Sequence, residues 1–148
     1  MNDYIASIDA GTGGVCCVIF DAEGRAAGMD YRELTTLYTP DGRAEQDPVQ
    51  LIRGAWDAVR GAILRANIDP ARIAGVSAAG TQTTFVPLDG RGDFLSNIIL
   101  WQDARGIEMF PSIRACLAAN GMTEADLYRR TLRPLDALLA GEIGRAHV

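Results

Sequence analysis

Ile8-Asp9-Ala10-Gly11-Thr12-Gly13-Gly14 lies between two short apolar runs, residues 4–8 and 15–20, near the start of a chain of 148 residues. Both runs are rich in β-branched and aromatic side chains and read as strands. The glycines between them permit positive φ and close backbone approach, so N–H groups in such a turn can point at a phosphate. Thr12 adds a hydroxyl donor, and Asp9 is placed to hold Mg²⁺ or its water shell. Gly-rich hairpin turns also serve purely structural ends. The rest of the chain has to decide between the two.

A chain of this length buries one good core. Nearly half of its residues are hydrophobic, as in an ordinary globular protein. The formal net charge of −5 argues against nucleic acid or an anionic membrane as partner. No apolar run is long enough to span a bilayer, and Met1 leads straight into a strand without a secretory leader. Cys16 and Cys17 are adjacent and Cys116 makes the total odd, which is neither a disulfide framework nor a metal-ligand spacing. A reducing cytoplasm is the expected location. All 14 basic residues are arginine, so a Walker-type lysine and Schiff-base chemistry are excluded within these residues. The single histidine, His147, stands next to the C-terminus and leaves no His-based triad or metal site. Gly11-Thr12-Gly13-Gly14 also misses the dinucleotide-binding spacing.

Outward from the hairpin, Gly24 marks a turn and residues 26–37 read as a third strand, followed by a polar loop over 38–46. Asp47-Pro48 signals a helix start: Asp caps, Pro takes the first helical position, and Gln50 stands where a capping-box partner belongs. Val49, Ile52, Trp56, Val59 and Ile63 follow the 3.6 period, which places Trp56 in the core. Asn67 to Pro70 closes this helix. Residues 73–79 read as a fourth strand and 83–88 as a fifth, with Asp89-Gly90-Arg91-Gly92 as the turn after it. Ile98 to Trp101 is a short apolar segment. Asp103 then caps a helix carrying Ile107, Phe110, Ile113 and Leu117, which Pro111 should kink or split. Thr123 caps a short helix over 124–130, and Pro134 opens a last one. Three strands, a helix, then further strand and helix units predict an α/β domain with a mixed sheet.

These segments together resemble the N-terminal part of an FGGY-type carbohydrate kinase, a family that includes glycerol kinase, xylulokinase and autoinducer-2 kinase. The resemblance runs from Tyr4 to about Leu139. Ile8-Asp9-Ala10-Gly11-Thr12-Gly13 is similar to the family's first phosphate loop, and Val18-Ile19-Phe20-Asp21 to the strand after it. Glu45-Gln46-Asp47-Pro48 resembles the acidic lead-in to the first helix. Asn97-Ile98-Ile99-Leu100-Trp101-Gln102-Asp103-Ala104-Arg105 is similar to the sugar-site segment and is the most specific match.

The resemblance implies an actin-like, ribonuclease-H-like fold: a mixed sheet flanked by helices, with only the N-terminal domain represented. It implies transfer of the ATP γ-phosphoryl group to a hydroxyl of a small sugar or polyol, with ATP and Mg²⁺ as cofactors. Asp9, Gly11, Thr12 and Gly13 would face the phosphates and the metal. Trp101 would pack on the carbon face of the substrate while Asp103 bonds its hydroxyls; Thr81, Gln82 and Thr83 would line the same pocket. A Trp beside an Asp suits a sugar, which has an apolar face and a ring of donors and acceptors. The same pair also reads as a core aromatic and a helix cap.

Three features depart from the family pattern. Cys16 stands where many members carry an Arg directed at the transferred phosphate, a charge that Cys cannot supply. Neutral Thr81, Gln82 and Thr83 cover the positions of an Arg-Glu pair found in some members' sugar loops. The base carboxylate and the adenosine-binding half belong to parts of the family beyond residue 148, so the chain alone is expected to lack turnover. A non-catalytic sugar-binding or regulatory module of the same fold is the alternative. Another actin-like phosphotransferase fits the phosphate loop but leaves Trp101-Gln102-Asp103 unexplained. Residues 1–141 are expected to form the truncated kinase domain, and residues 142–148 read as a non-native tail.

Overall fold

The computed structural model describes residues 3–136. The expected tail, the domain limit at 141 and most of the helix expected from Pro134 lie outside the described residues. The chain divides into two compact units: Met1–Thr36 with Gln46–Ile98, and Leu37–Glu45 with Ile99–Val148.

The first unit is built on a four-stranded sheet of order β3-β2-β1-β6, comprising β1 (Tyr4–Ala10), β2 (Gly14–Phe20), β3 (Ala26–Glu33) and β6 (Ile73–Gly80). β1, β2 and β3 pair antiparallel, whereas β6 runs parallel to β1. Parallel pairing requires a crossover, and α1 (Pro48–Ala66) supplies most of it. The sheet is therefore mixed, as the pattern of elements predicts. α1 packs on one sheet face over a core of Ala6, Val15, Cys17, Ile19, Leu34, Ala58 and Ala62. Burial pushes the Cys17 thiol above its ordinary pKa, with Cys16 and Asp30 adding to the shift, so Cys17 is a packing residue.

The start and stop of α1 follow local chemistry. Asp47 accepts a hydrogen bond from the Val49 N–H at 2.8 Å, Pro48 opens the first turn, and Asn67 ends the helix in the left-handed region at φ 51°. Two expectations are corrected here. Gln50 makes no capping box: its side chain accepts from the Thr35 N–H at 3.1 Å and donates to the Thr35 hydroxyl. Trp56 is not core but 66% exposed. Val49 and Ile52 are exposed with it, whereas Val59 and Ile63 pack against the core as expected, beside Leu51, Ala55 and the fully buried Ala58 and Ala62. The reason is distance. A Cβ on Gly28 would collide with the backbone of Ala62 and Ala66, so α1 lies too close to β3 for anything but small residues between them.

The third strand stops at Glu33, and the supposed loop over 38–46 contains a hairpin. β4 (Thr36–Tyr38) and β5 (Ala44–Gln46) join β7 (Ile98–Ile99) in a three-stranded sheet of order β4-β5-β7. Gly42 at φ 87° makes the tight turn, and the Thr39 hydroxyl and Arg43 hold the Asp41 carboxyl down at about 2. No strand forms over 83–88. Thr83 sits at φ 53°, which an extended chain cannot include, and the segment holds no more than isolated bridge positions at Phe85 and at Leu88, the latter paired with Phe94. In the second unit a 3₁₀ turn (Arg105–Met109) precedes α2 (Phe110–Ala119). Pro111 lies in the first turn of α2, so it divides the two as the sequence predicts. α3 (Glu124–Thr131) begins with a capping box between Thr123 and Asp126. Among the described residues no helix is long and apolar enough to cross a membrane.

Candidate functional site

The turn between β1 and β2 has its carbonyls tied back on three sides. The Thr12 carbonyl accepts from Gln46 Nε2 at 2.6 Å, the Gly13 carbonyl from the Leu34 N–H at 3.0 Å, and the Gly14 carbonyl from the Gly11 N–H at 3.0 Å. The N–H groups of Thr12 and Gly13 take no hydrogen-bond partner among the described residues. Two adjacent unpaired donors, with the Thr12, Gly13 and Gly14 carbonyls engaged elsewhere, make the turn a donor site for an anion. Asp9, at the exposed end of β1, pairs across the ladder with Cys16, which pairs in turn with Tyr31. Directly opposed residues share a sheet face. Val15 and Cys17 point into the core under α1, so Asp9, Cys16 and Tyr31 lie on the other face.

Asp9 is the single carboxylate in the turn segment, and among the described residues no group of three or more metal-ligating side chains forms. One carboxylate suits Mg²⁺, which keeps much of its water and takes its remaining ligands from phosphates. Asp9 fits that metal and does not fit a protein-caged one.

Thr81 is anchored to the same turn. Its N–H and its hydroxyl both donate to the Ala10 carbonyl, each at 3.1 Å. Ala10, Gly11, Gln46, Leu51, Gly80, Thr81, Thr84 and Ile98 line a cavity of about 190 Å³. The structure therefore brings Gly11 and Thr81 to one cavity. Gln82 and Thr83, expected to line it as well, belong to the turn beside it and are not in its wall.

In the second unit Trp101 is half-exposed, with its neighbour Asp103 only 6% exposed. Asp103 accepts from the Ala44 N–H at 3.1 Å and from the Arg105 N–H at 3.1 Å, and Arg105 Nη2 approaches Oδ2 to 2.6 Å. Arg105 also reaches Glu45 at 2.7 Å. Burial pushes the Asp103 carboxyl up, but the bonds from Arg105 and Ala44 outweigh it and hold the group below the usual carboxylate range; Arg105 is raised in return. The expected helix cap does not form: Ala104 takes the N-cap position of the 3₁₀ turn without a side-chain cap bond, and the Asp103 bond to the Arg105 N–H is a local turn contact two residues on. The carboxylate expected to meet sugar hydroxyls thus spends most of its capacity on this network. Gln102, between them, donates to the Tyr38 hydroxyl and leaves a buried Oε1 without a partner. Sequence reasoning gave no site role to Gln46, Glu45 or Arg105. A polar residue just before a helix cap carries no signal of where its side chain points, whereas an Asp-x-Arg spacing does permit local pairing.

Residues 4–140 match the N-terminal domain of the FGGY family of carbohydrate kinases. The chain belongs to that family, and its fold is the actin-like one. It is 33% identical to a glycerol kinase of Acaryochloris marina over 93% of this chain and 27% of that protein. It is also 33% identical to a glycerol kinase of Roseiflexus over 71% of this chain and 21% of the relative. A gluconate kinase from Lactobacillus acidophilus superposes with a TM-score of 0.74 at 25% identity, covering 91% of this chain and 26% of the other. The chain therefore spans about a quarter of the length of these relatives.

Proposed function

We propose that this chain is the N-terminal portion of an ATP-dependent kinase that transfers the γ-phosphoryl group to a hydroxyl of a small sugar or polyol. The observation that carries the reading is the Thr12 turn. Its carbonyls are bound from behind and its Thr12 and Gly13 N–H groups are left over, the arrangement a phosphate oxygen needs. Asp9, Gly11, Thr12 and Gly13 face the phosphates, and Asp9 holds Mg²⁺ through water. The metal, when bound, offsets phosphate charge; the chain's own residues position the reactants. The neighbouring cavity has room for about six waters, at roughly 30 Å³ each, and so suits a small ligand. Thr81 contacts the acceptor from the cavity wall in this reading, and the family resemblance adds Gln82, Thr83, Trp101 and Asp103 as acceptor-binding residues. Trp101 offers an aromatic face, and Asp103 adds a substrate hydroxyl to the network it already shares with Arg105. The base and the adenosine site are supplied by regions that the longer relatives possess beyond this match, so turnover belongs to the full-length protein and not to these residues alone.

The alternative, a sugar-binding or regulatory module without chemistry, is favoured by one observation. Cys16 sits beside Asp9 on the ladder, where a guanidinium would serve phosphoryl transfer. One experiment separates them: the full-length protein is assayed with MgATP against a broad panel of sugars and polyols, alongside calorimetry. Acceptor-dependent ADP release supports the kinase, and sugar binding without any release establishes the module. Cytoplasmic residence is part of the same proposal.

A further inference from the structure

We propose that Gln46 is the positioning residue of the phosphate turn: its amide holds the Thr12 carbonyl inward and thereby keeps the Gly13 N–H facing out. The inference rests on the phosphate reading above and gives that site a part outside the Gly-rich segment. Gln46 is 4% exposed, at the end of β5 and just ahead of the cap of α1. Its Nε2 donates to the Thr12 carbonyl at 2.6 Å and to the Thr36 hydroxyl at 2.9 Å. Both amide hydrogens are spent on acceptors 34 and 10 positions away. A buried donor so placed resists rearrangement, because breaking either bond strands a polar group away from water.

Peptide geometry makes the consequence specific. The Thr12 carbonyl and the Gly13 N–H belong to one rigid peptide unit and point in opposite directions. Fixing the carbonyl toward Gln46 therefore fixes the Gly13 N–H away from it. The two other carbonyl ties, Leu34 to Gly13 and Gly11 to Gly14, are backbone bonds that any sequence could make. Gln46 is the one side chain among them, and it also forms part of the cavity wall next to Gly11 and Thr81. A Glu at this position would set a carboxylate against two acceptors, and a Met would fill the volume without donating.

The test is amide hydrogen exchange on the 148-residue chain carrying Gln46→Met, read at the Gly11 and Leu34 amides, which are bonded across the turn. Protection at both is expected to fall about tenfold, the effect of one lost hydrogen bond, while Ala58 and Ala62 in α1 keep theirs. Unchanged protection at Gly11 and Leu34, or an equal loss throughout α1, overturns the proposal. Gln46→Glu gives a second and independent reading. Its carboxyl is raised by burial and by the facing acceptors, and once protonated it can donate again. Protection at Gly11 and Leu34 should therefore be low at neutral pH and recover as pH falls through that raised pKa. Absence of this recovery in a folded Gln46→Glu chain overturns the proposal even if Gln46→Met does not fold. MgATP is titrated separately into the unsubstituted chain and the full-length protein. Failure of both to bind tells against the phosphate reading and leaves the exchange result for Gln46 unaffected.

Discussion

The carboxylate of Asp30 occupies the space in which a Cβ on Gly61 would stand. Asp30 is 6% exposed on the core side of β3, and Gly61 is buried on the facing side of α1. Arg32 meets one Asp30 oxygen at 2.6 Å and Arg65 the other at 2.5 Å, so the buried charge is doubly paired. Only the absence of a side chain at 61 lets the helix approach a strand that carries this triad.

Gly61→Ala should consequently cost about 1–3 kcal/mol despite the better helix propensity of Ala, because the new methyl displaces a paired carboxylate. Gly75→Ala, in open space on β6, should be neutral or stabilising by up to about 1 kcal/mol. Urea midpoints of the two variants give the comparison, and equal midpoints would refute the steric account.

The Asp103 network predicts an acid-sensitive second unit. Its carboxyl lies below the usual range when folded, so the ionised form is favoured by folding. That stability is fully present above the unfolded value near pH 4 and is lost as pH falls through the lowered folded value. Asp103→Asn should weaken the unit at neutral pH and flatten this part of the acid limb. Stability measured from pH 6 to pH 2 on both chains provides the check; parallel curves would remove Asp103 as the cause.

Thr83 is a β-branched residue at φ 53°, a conformation that costs an L side chain about 1–2 kcal/mol. Thr83→Gly should relieve this and offset the flexibility it adds to the unfolded chain, leaving stability level or up to about 1 kcal/mol higher. Thr83→Val, which cannot hydrogen-bond locally, should lower it. Thermal midpoints decide, and a marked loss in Thr83→Gly would mean that the hydroxyl holds the turn.

Two substitutions in the full-length protein probe the proposed chemistry. Trp101→Ala removes a half-exposed aromatic face and should raise the acceptor KM by about ten- to hundredfold while leaving that for ATP near its starting value. Cys16→Arg places a guanidinium beside Asp9 on the open sheet face and should raise kcat at least several-fold. Steady-state kinetics with both substrates varied separates the two effects. A Cys16→Arg enzyme with unchanged kcat would remove that position from phosphoryl transfer.

Much of this protein follows from local rules acting on neighbouring residues. Strands β1, β2 and β6, the Gly-rich turn, the Asp47 cap, the break at Pro111 and the Thr123 capping box all arise within a few positions of the residues that signal them. The family is legible for the same reason, since its motifs are contiguous. What sequence periodicity alone did not decide is which members of the apolar stripe on α1 meet the sheet: Val59 and Ile63 do, Val49, Ile52 and Trp56 do not. Gly28, Gly61 and buried Asp30 settle that through the close approach of helix and strand, leaving Trp56 outside. Likewise Thr83 and Thr84 carry strand-forming side chains, yet Thr81 is pinned to the Ala10 carbonyl and the chain turns at Thr83. Gln46 acquires its place at Thr12, and Asp103 its bond to Ala44, only when residues 34 and 59 positions apart are brought together. Contacts at that separation depend on how strands pair and helices pack. No short window of sequence contains that information.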